Sequence, residues 1–125
     1  MPATAGLQGR AALTVSEADT AIALRSGEVP VLATPRLVAL LEEATVDALA
    51  GHLDAGQTTV GMRVQIDHLA PTAIGATVHA EATLEAVEGR RLTFATEAAE
   101  DGAPVATATV TRVVVDTERF LGRLG

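Results

Sequence analysis

The sequence predicts an α+β fold in which one long helix is wrapped by an antiparallel sheet of about five strands. Three observations lead there. Only one stretch, after Thr34 and ahead of Gly51, carries a long helical spacing of apolar residues. Four later stretches alternate apolar and polar residues with a period of two. Glycine-bearing turns separate those stretches closely enough for neighbours in sequence to pair as hairpins.

The elements follow in order. Residues 1–7 read as a frayed tail, and 8–125 as a single domain; Arg10 to Val15 is a candidate edge strand. Ser16 to Pro30 is irregular, with Gly27 and Pro30 as breakers. Thr34 suits an N-cap, Pro35 the first helical position and Gly51 the stop, which gives about 16 residues of helix. At 100° per residue, Leu37, Leu41, Ala44 and Ala48 form the buried stripe, flanked by Val38, Thr45 and Leu49. Beyond Gly56, alternation over Gln57–Ala70 puts Val60, Met62, Val64, Ile66 and His68 on one face. Ala76–Val87, Arg91–Ala99 and Val105–Asp116 alternate as well, with Glu88-Gly89 and Asp101-Gly102 as tight turns. A single helix covers one face of such a sheet and is wrapped by it, which is the hotdog architecture. The sheet keeps an open edge, and pairing of edges across a two-fold axis is the usual remedy, so a homodimer is expected.

Composition narrows the function. The chain has 125 residues, enough for one domain. Hydrophobic residues make up 48% but aromatics only 2%, so the core is built from Ala, Val, Leu and Ile, which lets a helix approach a sheet closely. The absence of cysteine excludes disulfides, thiolate metal sites and cysteine nucleophiles. Sixteen acidic against nine basic residues, a net charge of −7, argue against nucleic acid as a partner. No run approaches the roughly 20 apolar residues of a membrane span. With no signal-peptide pattern at the start, a cytoplasmic location is expected.

A few polar residues stand where a sheet-facing residue is expected. Glu42 lies at the border of the buried helical side, whereas Glu43 and Asp47 point away to solvent. His68 continues the apolar face of its strand, where a carboxylate such as Glu42 would orient it. Thr34 stands at a helix start, where backbone N–H groups favour negative charge. Glu42 and Thr34 are eight residues apart, about 12 Å along a helix, so a meeting requires a bend in the chain or a second subunit. Gly61 sits mid-strand, where glycine marks a bulge or a close approach. Arg112 shares a face with Ala106, Ala108, Val110 and Val114 and calls for an anionic partner. Arg36, Arg90 and Arg91 are candidate phosphate contacts.

Together these residues resemble the fluoroacetyl-CoA thioesterase family of hotdog proteins. VLATPRLVALLEEA is similar to the family's segment carrying a hydroxyl residue and a glutamate, which fall on Thr34 and Glu42. VGMRVQIDHLAPTAIG matches its G-x(6)-H segment and places Gly61 and His68. EAVEGRRLTF resembles a family hairpin, and TVTRVVV places Arg112. The resemblance covers about residues 30 to 118. It implies hydrolysis of a small acyl-CoA thioester to the free acid and CoA, with Thr34, Glu42 and His68 catalytic and no cofactor or metal. Gly61, Arg112, Val29 and Pro35 would border the substrate. Pro35 replaces the family's glycine, and Val29 stands where the characterised member has a phenylalanine gating the acyl pocket, so the acyl group is left open. Two other readings remain at this point: a non-catalytic acyl-CoA binding module, and a hotdog enoyl-CoA hydratase using Asp47 and His52, which have that class's spacing but lack its Asn-Pro.

Overall fold

A computed structural model describes residues 2–125. The elements run β1 (Gln8–Thr14), a 3₁₀ turn (Glu17–Asp19), α1 (Thr34–Leu49), β2 (Gln57–His68), β3 (Thr77–Glu88), β4 (Arg91–Glu100), β5 (Ala103–Asp116) and α2 (Thr117–Gly122). The strands form one antiparallel sheet in the order β1-β3-β4-β5-β2. The expected sequence of strand, long helix and four strands is present. The short α2 was not anticipated.

The sheet curls around α1. Leu37, Leu40, Leu41, Ala44 and Ala48 of the helix meet Val78, Ala80, Ala82 and Leu84 of β3, Leu92 and Phe94 of β4 and Val110 of β5. The helix lies so close to β1 that a Cβ at Gly9 would collide with the Ala44 carbonyl and the Ala48 backbone. The small-residue composition therefore has a structural consequence: glycine and alanine bring backbone against backbone. The chain is already tied to β3 ahead of its first strand, through Gly6 N–H to Leu84 O and Leu84 N–H to Leu7 O, both 2.8 Å.

Turn chemistry sets the register. Asp101 and Gly102 both have positive φ, as a two-residue hairpin requires. The other hairpin turns one residue later than expected, at Gly89-Arg90 between the paired Glu88 and Arg91, because Gly89 supplies the positive φ.

The two outer strands differ. At β1, the Arg10 backbone N–H donates to Asp47 Oδ2 of α1 at 2.8 Å, so Asp47 covers part of this edge instead of standing free as the helical wheel suggested. β2 pairs with β5 alone among the described strands. No described helix is long and apolar enough to cross a membrane.

Candidate active site

The alternation expected along β2 breaks at one point, and the break matters. Gly61 pairs with Arg112, yet the next residue paired, with Thr111, is Arg63. The intervening Met62 is bulged and exposed. A bulge inserts one residue and switches the facing of everything before it. Val64, Ile66 and His68 keep the helix-facing side, opposite Val110, Ala108 and Ala106. Val60 and Met62 do not share it, contrary to the simple period-two reading; Thr59 and Gly61 take that side instead.

The first polar cluster lies at the start of α1. The N-cap is Ala33, without a side-chain cap, so Thr34 is the first helical residue and Pro35 the second. That shift by one residue frees the Thr34 hydroxyl from the capping role expected of it. It lies 2.8 Å from His68 Nδ1. The His68 Nε2 is buried and has no partner among the described residues, so Thr34 is what orients the ring. The helix entry is pinned from behind. Leu32 N–H donates to Thr72 O and Ala33 N–H to Asp19 O, each at 2.9 Å. Asp19 accepts from the Ser16 backbone at 2.8 Å and from Arg36 Nε at 3.2 Å. The Ser16 N–H holds the Asp19 carboxyl below its ordinary value against the opposing effect of burial, with help from the Ser16 hydroxyl and Arg36.

The second cluster lies two turns further along α1. Arg112 Nη1 donates to Glu42 Oε2 at 3.2 Å. The same guanidinium donates through Nε to Thr59 Oγ1 at 2.9 Å and through Nη2 to Thr59 O at 3.2 Å. Arg112 is 7% exposed. Burial draws its pKa down from the ordinary arginine value, while the Glu42 carboxylate and its hydrogen bond act the other way. Gly61 is the space in which this pair forms: a Cβ there would collide with Glu42 Oε2. The call for an anionic partner to Arg112 is met, and glycine is there for close approach. Thr59 was missed from the sequence. Once the bulge is known, its place two residues before Gly61, on the helix-facing side, singles it out.

The two clusters do not meet within the chain. His68 bonds to Thr34 and Glu42 to Arg112, so the expected Glu42–His68 pair is absent. Glu43 pairs outward with Arg36 at 3.3 Å. Val29 is 55% exposed in the segment before α1, and neither it nor Pro35 joins the polar contacts of either cluster. Arg36 pairs with Asp19 and Glu43, and Arg90 with Asp116 at 3.8 Å. Asp47 holds β1, and the Nδ1 of His52 is buried without a partner among the described residues; the pair required by the hydratase reading does not form.

Comparison with known proteins identifies the family. The family model described as fluoroacetyl-CoA-specific thioesterase matches residues 15–118. The fluoroacetyl-CoA thioesterase of Streptantibioticus cattleyicolor is 37% identical over 90 residues, 72% of this chain; the match spans 65% of that relative's length. A solved structure of the fluoroacetyl-CoA thioesterase FlK superposes with a TM-score of 0.92 at 28% identity, covering 99% of this chain and 96% of that one. A FlK variant in complex with fluoroacetate and CoA gives 0.87 at 30% identity, covering 94% and 99%. A hot-dog-like protein from Thermanaerovibrio acidaminovorans also gives 0.87 at 30%, covering 96% and 89%. The family match spans the helix and the strands that carry both clusters, and this chain belongs to the fluoroacetyl-CoA-specific thioesterase family of the hotdog fold.

Proposed function

We propose that this protein hydrolyses a small acyl-CoA thioester to the free acid and CoA, as a cytoplasmic homodimer without a cofactor or metal. Family membership supports the reaction class. The observation that carries the residue assignment is the orientation of Glu42. Arg112 holds its Oε2, and among the described residues no hydrogen bond uses Oε1. Oε1 is the oxygen presented to substrate. Its attack on the thioester carbonyl gives a mixed anhydride and expels CoA thiolate. Water then cleaves the anhydride, releasing the acid and regenerating the carboxylate. His68, oriented by Thr34, takes the proton of that water through the imidazole. Gly61 leaves room for the reacting carbonyl beside Glu42, and Val29 and Pro35 border the acyl group near the start of α1.

The dimer supplies what one chain lacks. Antiparallel pairing of two β2 edges about an axis at Gln65 would, with Met62 bulged out of the register, set Gly61 of one protomer across from His68 of the other. Glu42 of one chain would then face Thr34 and His68 of its partner, and the eight-residue separation along α1 ceases to be an obstacle.

The experiment is thiol release from acetyl-, fluoroacetyl-, medium-chain and aryl-CoA, followed with a thiol-reactive dye; the protein has no cysteine and contributes no background. Release that disappears in Glu42→Ala and His68→Ala is expected. CoA esters that bind without any release would replace the enzyme with a binding module.

A further inference from the structure

We infer that Thr59 is the positioning residue of the site: it fixes the Arg112 guanidinium, and through it the rotamer of Glu42. The inference rests on the reading of Glu42 as the reacting carboxylate. Three recorded hydrogen bonds hold Arg112, and two of them end on Thr59. They leave the guanidinium from Nε and Nη2, so Nη1 is the nitrogen turned toward Glu42. A guanidinium is a rigid planar fork, and anchoring two of its nitrogens determines where the third points. The Glu42 carboxylate alone does not do this, because a single contact at 3.2 Å leaves the plane free to rotate about the pair.

The placement of Thr59 depends on the bulge. Thr59 stands opposite Val114 and Gly61 opposite Arg112. The arginine side chain therefore passes over a residue with no side chain and turns back along β2 onto the next helix-facing position. The two acceptors differ in kind. The backbone oxygen exists whatever residue occupies position 59. The hydroxyl is the part specified by the sequence, and it accepts the shorter bond, 2.9 Å, from Nε. Arg112 is buried, so an N–H deprived of that acceptor regains no bulk water and the guanidinium reorients to find another partner. Reorientation swings Nη1 off Oε2 and frees Glu42 to leave the attacking rotamer.

The test is a set of variants read by steady-state thiol release: Thr59→Val, Thr59→Ser, Arg112→Met and the double variant Thr59→Val/Arg112→Met. Thermal midpoints and CoA inhibition constants are measured alongside. Thr59→Val keeps the shape and loses the hydroxyl; kcat is expected to fall roughly tenfold, as befits one hydrogen bond to a charged group, with KM within about twofold. Thr59→Ser is expected to restore most of kcat. The double variant is expected to be no slower than Arg112→Met alone, because Thr59 acts through Arg112. Should Thr59→Val not fold, Thr59→Ala takes its place, since it only removes atoms. Unchanged kcat in the hydroxyl-free variant, failure of serine to rescue, a loss confined to KM, or additive losses in the double variant would each overturn the inference. A wild-type protein that releases no thiol would instead overturn the thioesterase reading itself, so the two failures are told apart.

Discussion

The two polar clusters on α1 are built in opposite ways. At Thr34 and His68 there is one side-chain hydrogen bond, an exposed threonine and a buried Nε2 with no partner among the described residues. At Glu42 there is an ion pair, two further bonds to Thr59, a buried arginine and a glycine that makes room. The first is lightly held; the second is locked. The difference suits the proposed chemistry. A carboxylate that attacks carbon must be aimed before substrate arrives, since misplacement is costly. A histidine that moves a proton needs one partner to orient it and a face left free for water.

Substitutions break or sharpen this contrast. The largest effect is expected at Glu42: Glu42→Ala should lower kcat by about a hundredfold or more, while Glu43→Ala stays within about twofold in the same thiol-release assay. Comparable losses from both would sink the assignment of the inward carboxylate. His68→Ala should approach the first loss in kcat yet barely move the thermal midpoint, because its cluster is lightly held. Arg112→Met should do the reverse in part, destabilising by about 1–3 kcal/mol in urea titration, a range reduced because Glu42 is one-third exposed. Gly61→Ala should reduce turnover through displacement of Glu42 while CoA inhibition persists. The smallest effect is at the helix entry. The Asp19 carboxyl is held below its ordinary value in the folded state, so its contribution to stability is present above the ordinary carboxylate pKa and is lost as pH falls through the depressed folded value. Thermal midpoints measured from neutral pH down into the acid range should fall more for the wild type than for Asp19→Asn.

Much of this was legible in the sequence. The helix, its buried stripe and its stop at Gly51 follow from periodicity and glycine chemistry, and the structure has the helix over Thr34–Leu49 with Gly51 at positive φ. Glu42 stood out on the wheel, and Arg112 as a cation among small apolar residues. The rest was hidden for physical reasons. A bulge leaves no period of its own, so Val60 and Met62 were placed on the face that belongs to Thr59 and Gly61. A helix start depends on backbone dihedrals, so Thr34 read as the cap until Ala33 was seen in that place. Asp47 looked solvated because a wheel shows directions within a helix but not the strand edge beyond it.

The central claim is that the two clusters act on one carbonyl across a two-fold axis. Mixing Glu42→Ala and His68→Ala protomers after mild dissociation, and measuring thiol release, tests it most directly. Random reassortment makes half the dimers mixed, and each mixed dimer has one of two sites intact if each site takes Glu42 from one chain and His68 from the other. The mixture should then recover about a quarter of wild-type activity. A mixture that stays as inactive as its two parents, with exchange of protomers verified, would contradict the shared site.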